Sequence, residues 1–251
     1  MKVTILGSSG SVGAPNNPAS GYLVEIPGAP SIVLDLGPGA LAKLQELQDP
    51  TDAHVLFTHL HPDHCLDFPS LLVWRRFHPE APAKSRNLCI GPADTERHLG
   101  AMDTPGQQES LSDTFAFTPW TAHQPELVDL TTVTPFPTVH PVESYALRLE
   151  HEGAVLAYSG DSAPTEELVA CARDADVFLC EATWGASSEG KVENMHLSGA
   201  EAGQIAQRAG VKQLVLVHIP PWGDPEEALA AARAEFAGEV LLGVSGLVLE
   251  V

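Results

Sequence analysis

Short runs of apolar residues, broken by Gly, Pro, Ser and Asn, recur along the whole chain and predict strands and helices in regular succession. Residues 3–6, 22–26 and 31–36 read as strands. Leu41, Leu44 and Leu47 fall at helical spacing, so a helix is expected over 38–48. A strand at 53–57, a helix at 66–77, a short strand at 87–90 and a helix at 93–99 follow. Residues 101–125 are weakly patterned and read as a loop or lid. Strands are expected at 127–139, 144–150 and 154–159. A regular tail comes next: helix 164–173, strand 176–180, helix 198–209, strand 212–217, helix 225–236 and strands 239–242 and 247–251. Strands and helices grouped into two similar halves predict two sheets packed face to face with helices outside. No repeat or linker interrupts the pattern, so residues 1–251 read as a single domain.

Composition narrows the class. The chain has 251 residues, 44% of them hydrophobic, enough for a sizeable core. No apolar run has the length of a membrane span, and the N-terminal residues read as a strand, not a signal peptide. Cys65, Cys89, Cys171 and Cys180 form no CxxC pair. They are expected as reduced packing thiols of a cytoplasmic protein. The formal charge is −20, from 33 acidic against 13 basic residues. A protein that grips a nucleic acid backbone needs a basic stripe. Here the basic clusters are Arg75-Arg76, expected on a solvated helix face, and the Lys84/Arg86 pair. Long polyanions are disfavoured, whereas a small anion drawn to a metal centre is not.

Chemistry concentrates in His59-Leu60-His61-Pro62-Asp63-His64, directly after the apolar run 53–57. Imidazole and carboxylate are ligands for divalent ions such as zinc or manganese. Side chains of an extended segment alternate, so His59 and His61 point the same way. Pro62 disfavours helix at His61 and can begin the next turn, placing Asp63 and His64 to face a second ion. A purely structural zinc site would call on Cys, and the motif has none at a ligand position. His140, Asp161 and His218 each follow an expected strand and complete the number of ligands two ions require.

This combination resembles the metallo-β-lactamase superfamily over nearly the whole chain. The resemblance implies an α/β fold, the four-layer αβ/βα sandwich, with a dinuclear site at one edge. It implies His59, His61 and His140 on one ion, Asp63, His64 and His218 on the other, and Asp161 bridging them. Two divalent ions are implied, zinc in first place with manganese or iron as alternatives. Cys180-Glu181-Ala182-Thr183 and Met195-His196-Leu197-Ser198-Gly199 are similar to segments of the tRNA 3′-processing ribonuclease branch. Ser198 and Glu201 have capping-box spacing, so a helix begins there with N–H groups open to an anion. The implied role of His196 is to contact phosphate or protonate the leaving oxygen, with Glu181 orienting it.

The chain departs from that branch in one interval. Asp161 lies 21 residues after His140, and two expected strands fill the interval where the tRNA-processing enzymes carry a long substrate-gripping arm. The signature of classical class II cyclic nucleotide phosphodiesterases is also altered, with Pro62 in place of Leu and deviations at Cys65 and Asp67. Segments 7–12, 18–22, 73–76, 159–161, 180–182 and 218–222 are similar to the atypical class II cyclic AMP phosphodiesterases of actinobacteria. That likeness implies hydrolysis of 3′,5′-cyclic AMP to 5′-AMP by a metal-bridged hydroxide, oriented by Asp63. Trp222, Trp74 or Trp184 is expected to stack on the base. Two enzymatic alternatives stay open, a ribonuclease Z-like nuclease and a lactonase or thioesterase. A metal-binding regulator without turnover is the non-enzymatic one. The expected partner is a small cyclic nucleotide, with no long nucleic acid and no membrane. A homodimer is expected by analogy alone.

Overall fold

Strands whose every residue is buried, such as Ser31–Leu36, Ala53–Leu56 and Val177–Glu181, belong in the middle of a layered structure. They lie there in the computed structural model, which describes residues 1–103 and 110–251. The first half runs β1 (Lys2–Gly7), β2 (Gly21–Glu25), β3 (Ser31–Leu36), α1 (Ala40–Leu47), β4 (Ala53–Leu56), the single turn α2 (Pro62–Cys65), α3 (Phe68–Phe77), β5 (Asn87–Gly91), α4 (Thr95–Asp103) and β6 (Phe115–Pro119). Next come β7 (Glu126–Val128), β8 (Thr131–Pro137), β9 (Tyr145–His151) and β10 (Ala154–Tyr158). The chain closes through α5 (Glu166–Cys171), β11 (Val177–Glu181), α6 (Gly199–Ala209), β12 (Gln213–Val217), α7 (Pro225–Glu235), β13 (Glu239–Leu242) and β14 (Val248–Glu250).

The strands form two seven-stranded sheets, ordered β14-β1-β2-β3-β4-β5-β6 and β13-β12-β11-β10-β9-β8-β7. Each joins an antiparallel part to a parallel run, β3 to β6 in one and β10 to β13 in the other. One apolar cluster lies between the sheets and draws on both, from Val3 and Tyr22 to Leu147 and Val215. Two more pack α1 and α3 on the first sheet and α5, α6 and α7 on the second. The layers are therefore helix, sheet, sheet, helix, as expected. All four cysteines are buried and free. Among the described residues no helix is long and apolar enough to cross a membrane.

Three expectations need correction. Part of the presumed loop at 101–125 is structured: residues 101–103 finish α4 and 115–119 form the edge strand β6, while 104–109 lie outside the described residues. The strand expected at 127–139 is a hairpin, because Asp129 turns the chain with φ 50°. Arg75 is not solvated; it is 1% exposed, donates to Thr51 O, Ser85 O, Asn87 Oδ1 and Thr114 O, and lies over the Phe115 ring. A guanidinium with several donors can cross-link loops that no apolar residue could. Its neighbour Arg76 does reach the surface, where it meets Asp113.

Candidate metal centre

The C-terminal ends of β4, β8, β10, β11 and β12 share one edge of the sandwich, and each delivers a polar side chain there. After β4 the backbone stays extended at His61 (φ −67°, ψ 151°), and Pro62 opens α2. His59 and His61 thus stand on the extended segment, and Asp63 and His64 in the helical turn. His140 follows β8, Asp161 follows β10, and His218 follows β12 with φ 57°. A left-handed residue other than Gly costs on the order of 1 kcal/mol, tolerated where the surroundings over-determine it. Gly10 is part of those surroundings. A Cβ on Gly10 would lie 2.3 Å from His218 O, so only Gly lets this loop touch the His218 backbone.

All seven expected ligands converge in two overlapping groups. His59, His61, His140 and Asp161 form one, and Asp63, His64, Asp161 and His218 the other; within each, one ligand atom per residue lies within 4.8 Å of all the rest. Asp161 belongs to both. Its Oδ1 is 3.3 Å from His64 Nε2 and 3.5 Å from His218 Nε2. Its Oδ2 is 3.7 Å from His59 Nε2 and 3.9 Å from His140 Nε2. Asp63 Oδ2 is 3.0 Å from His218 Nε2.

Hydrogen bonds behind the rings fix which nitrogen faces inward. Asp35 Oδ2 accepts from Thr58 Oγ1 (2.8 Å) and from His64 Nδ1 (2.8 Å). Thr58 Oγ1, having donated, accepts from His59 Nδ1 at 3.0 Å. His140 Nδ1 donates to Met195 O at 3.0 Å. With Nδ1 held in this way, Nε2 is the inward atom of His59, His64 and His140. His61 differs, turning Nδ1 to His59 Nε2 (3.1 Å) and His140 Nε2 (3.0 Å). These three rings hold at most one inward proton, so at least two of their nitrogens meet as lone pairs. His64 Nε2 and His218 Nε2, 3.2 Å apart, likewise need a proton or a cation between them. Asp161 Oδ1 is buried without a hydrogen bond. Clustered lone pairs around an orphaned carboxylate oxygen fit divalent cations.

The electrostatics are those of a mutually dependent cluster. Burial, then the charge of His64, holds His59 far below the ordinary imidazole value, and burial also lowers His61 and His140. Burial opposes charge on His64, but the carboxylates of Asp161 and Asp35 raise its pKa well above the usual value. Burial also works against ionised Asp161, yet His218 and His64 keep it well below the carboxylate range. Asp63 is lowered too, against its burial, by the hydrogen bond from His218.

A third group, Glu181, His196 and His218, adjoins the other two. Its chemistry is different, because Glu181 is saturated with donors. Oε1 accepts from His196 Nδ1 (3.0 Å) and Ser162 N (2.7 Å), and Oε2 from Thr183 Oγ1 (2.8 Å), Thr183 N (3.3 Å) and Leu197 N (3.1 Å). Burial disfavours charge on His196, but Glu181 and Asp161 lift its pKa to about 9, so it is protonated at neutral pH. Its ring stacks on that of His218 at 5.6 Å.

One reading near the site fails, and a second loses one of its three candidates, Trp74. The capping box of Ser198 and Glu201 is present. The first N–H groups of α6 are nevertheless occupied, Gly199 N by Gly185 O (2.7 Å) and Ala200 N by Ala186 O (3.2 Å), so no anion cradle is open there. Trp74 sits in a groove on the outer helix layer with Leu41 and Phe77, stacked on His78 at 4.4 Å. Trp222 is exposed beside the loop that carries His218, and Trp184 follows Thr183 with Nε1 on Glu189 O. Sequence reasoning missed Asp35, Thr58, Thr183 and Tyr158, whose hydroxyl also donates to Asp35 Oδ2. A carboxylate inside the apolar run Ile32-Val33-Leu34-Asp35-Leu36 was the available signal.

Residues 31–219 match the model of the β-lactamase superfamily domain. The chain belongs to that superfamily. The probable metallo-hydrolase YhfI of Bacillus subtilis is 31% identical over 256 residues and the full length of both chains. Its crystal structure superposes with a TM-score of 0.87, covering 100% of this chain and 99% of the other at 27% identity. An uncharacterized protein of Mycobacterium tuberculosis is 47% identical over 243 residues, 96% of this chain and 88% of its own. The short form of human tRNase Z shares the fold, with a TM-score of 0.78 at 21% identity over 100% of this chain and 99% of that one. Superfamily membership and the His/Asp clusters together make this chain a metallo-hydrolase.

Proposed function

We propose that this metallo-hydrolase is a phosphodiesterase that converts 3′,5′-cyclic AMP to 5′-AMP at a site holding two divalent ions, zinc in first place. The reading rests above all on Asp161, one of whose oxygens faces each ligand group, with protonated His196 close by at 3.9 Å. His59, His61 and His140 would hold one ion, Asp63, His64 and His218 the other, and Asp161 both. Divalent ions so bound lower the pKa of water toward neutrality and offset charge on a phosphate. Asp63, kept ionised, accepts a hydrogen bond from the attacking water and orients it. His196, raised to about 9 by Glu181, gives its proton to the departing 3′ oxygen and is then restored from solvent. Glu181, fully buried, keeps Nδ1 of that ring in place so that Nε2 is the atom left to deliver a proton.

A small substrate is favoured on two counts. The interval between His140 and Asp161 is taken up by the β9–β10 hairpin, which turns at Glu152-Gly153 and leaves nothing to grip a long chain. The net charge of −20 repels a polyanion, whereas a single phosphodiester would be drawn to cations held by these ligands. Turnover of a panel of 3′,5′- and 2′,3′-cyclic nucleotides, bis(4-nitrophenyl) phosphate, precursor tRNA, a lactone and a thioester, with metal analysis of the same sample, tests the reading. Preferred cleavage of 3′,5′-cyclic AMP supports it. Cleavage of precursor tRNA alone, or of lactones and thioesters alone, refutes it.

A further inference from the structure

The buried carboxylate of Glu181 reaches a metal-facing ring as well as His196. His218 Nδ1 lies 2.8 Å from Thr183 Oγ1, and Thr183 Oγ1 lies 2.8 Å from Glu181 Oε2. The hydroxyl has one proton. Two acceptors compete for it, Glu181 Oε2 at 2.8 Å and His218 O at 3.0 Å. The shorter contact goes to the ionised oxygen, and charge-assisted bonds are the stronger kind. Thr183 Oγ1 then keeps a lone pair for the Nδ1–H of His218, and Nε2 of that ring is left to face Asp63, His64 and Asp161.

The same three-part chain occurs in the other half of the molecule. His59 Nδ1, Thr58 Oγ1 and Asp35 Oδ2 are linked at 3.0 and 2.8 Å. Thr58 follows the end of β4 by two residues and Thr183 the end of β11 by two, both strands being central in a parallel run. In each half the carboxylate also holds a second histidine directly, His64 on Asp35 and His196 on Glu181. Independent recurrence of one arrangement at equivalent places argues that the hydroxyl is selected for its two-way hydrogen bond and not for packing.

We propose that Thr183 is a positioning residue for the metal centre, its hydroxyl relaying Glu181 to His218 so that one carboxylate aligns both the proton donor His196 and a ligand of the second ion. The inference rests on the proposed metal-ligand role of His218. Its readout is zinc affinity and ring tautomer, neither of which depends on cyclic AMP being the substrate. Partners that orient a ligand histidine contribute roughly 10- to 100-fold in metal affinity.

Zinc binding by wild type, Thr183→Val and Thr183→Ser is measured by competition with a chromophoric chelator. Valine deletes the hydroxyl at nearly constant shape, and serine keeps it. The expected result is a 10- to 100-fold weaker zinc site in the valine variant and near-wild-type affinity in the serine variant. Unchanged affinity with valine, or equal loss with serine, overturns the proposal. A second measurement applies even if the valine variant does not fold. In the zinc-loaded wild type, nitrogen-15 ring correlations must place the His218 proton on Nδ1; a proton on Nε2 overturns the proposal equally.

Discussion

Asp35 Oδ2 accepts the Nδ1–H of His64 at 2.8 Å with both side chains fully buried, and the same carboxylate holds Thr58 and Tyr158. One residue behind the cluster thus sets the orientation of a histidine in each ligand group, His64 directly and His59 through Thr58. Replacing Asp35 by Asn keeps the volume but turns one acceptor oxygen into a donor. Zinc affinity is expected to fall by about 10- to 100-fold at both subsites. A chelator titration followed by metal analysis measures it.

The proposed role of His196 is proton delivery, separate from metal binding. His196→Ala should lower kcat by about 10²- to 10⁴-fold while metal content stays at the wild-type level. Unchanged turnover removes His196 from the mechanism.

The pH dependence has a definite sign. In the proposed mechanism the proton donor is protonated His196, whose pKa is raised to about 9, so kcat should fall as pH rises through about 9. Glu181→Gln removes the charge that raises it. Its alkaline limb should move down toward the ordinary imidazole value near 6.5. A pH–rate profile of both proteins checks the displacement, and a limb that stays in place contradicts it.

Metal uptake should itself depend on pH. Burial opposes the charge of His64, but Asp161 and Asp35 hold its pKa well above the ordinary imidazole value, so the ring is protonated near neutrality. A cation binding at Nε2 must release that proton, and affinity should therefore rise with pH. Calorimetry in buffers of different ionisation enthalpy counts the proton released; none released contradicts the assignment.

Away from the site, Arg75→Met should destabilise the fold by about 3–5 kcal/mol, since the acceptors at Thr51, Ser85, Asn87 and Thr114 lose their donor inside the protein. Denaturant unfolding measures it. A loss below 1 kcal/mol would put Arg75 back on a solvated face.

Much of this architecture was legible in the residue pattern, because buried parallel strands read as unbroken apolar runs and helices as Leu at three- and four-residue spacing. The residues that converge at the site were legible too, since His140, Asp161 and His218 each sit just past such a run. What escaped depends on partners distant in sequence. Thr58 looks like an ordinary turn residue until the fold sets Asp35 behind it, and Thr183 until the fold brings His218 beside it. Arg75 looks like a surface charge until three segments, around Thr51, Ser85–Asn87 and Thr114, close over it. The strand β6 has weak alternation and takes its place by pairing along β5. The N–H groups of α6 were misjudged because Gly185 and Ala186, which cap them, belong to a loop with no pattern of its own.

The most direct measurement is the metal content of the purified chain, followed with cyclic AMP hydrolysis as chelator is added and zinc or manganese is returned. Two ions per chain, activity that falls as they leave, and recovery on their return are the predicted results. Metal-free protein that hydrolyses cyclic AMP undiminished in excess chelator would contradict the account.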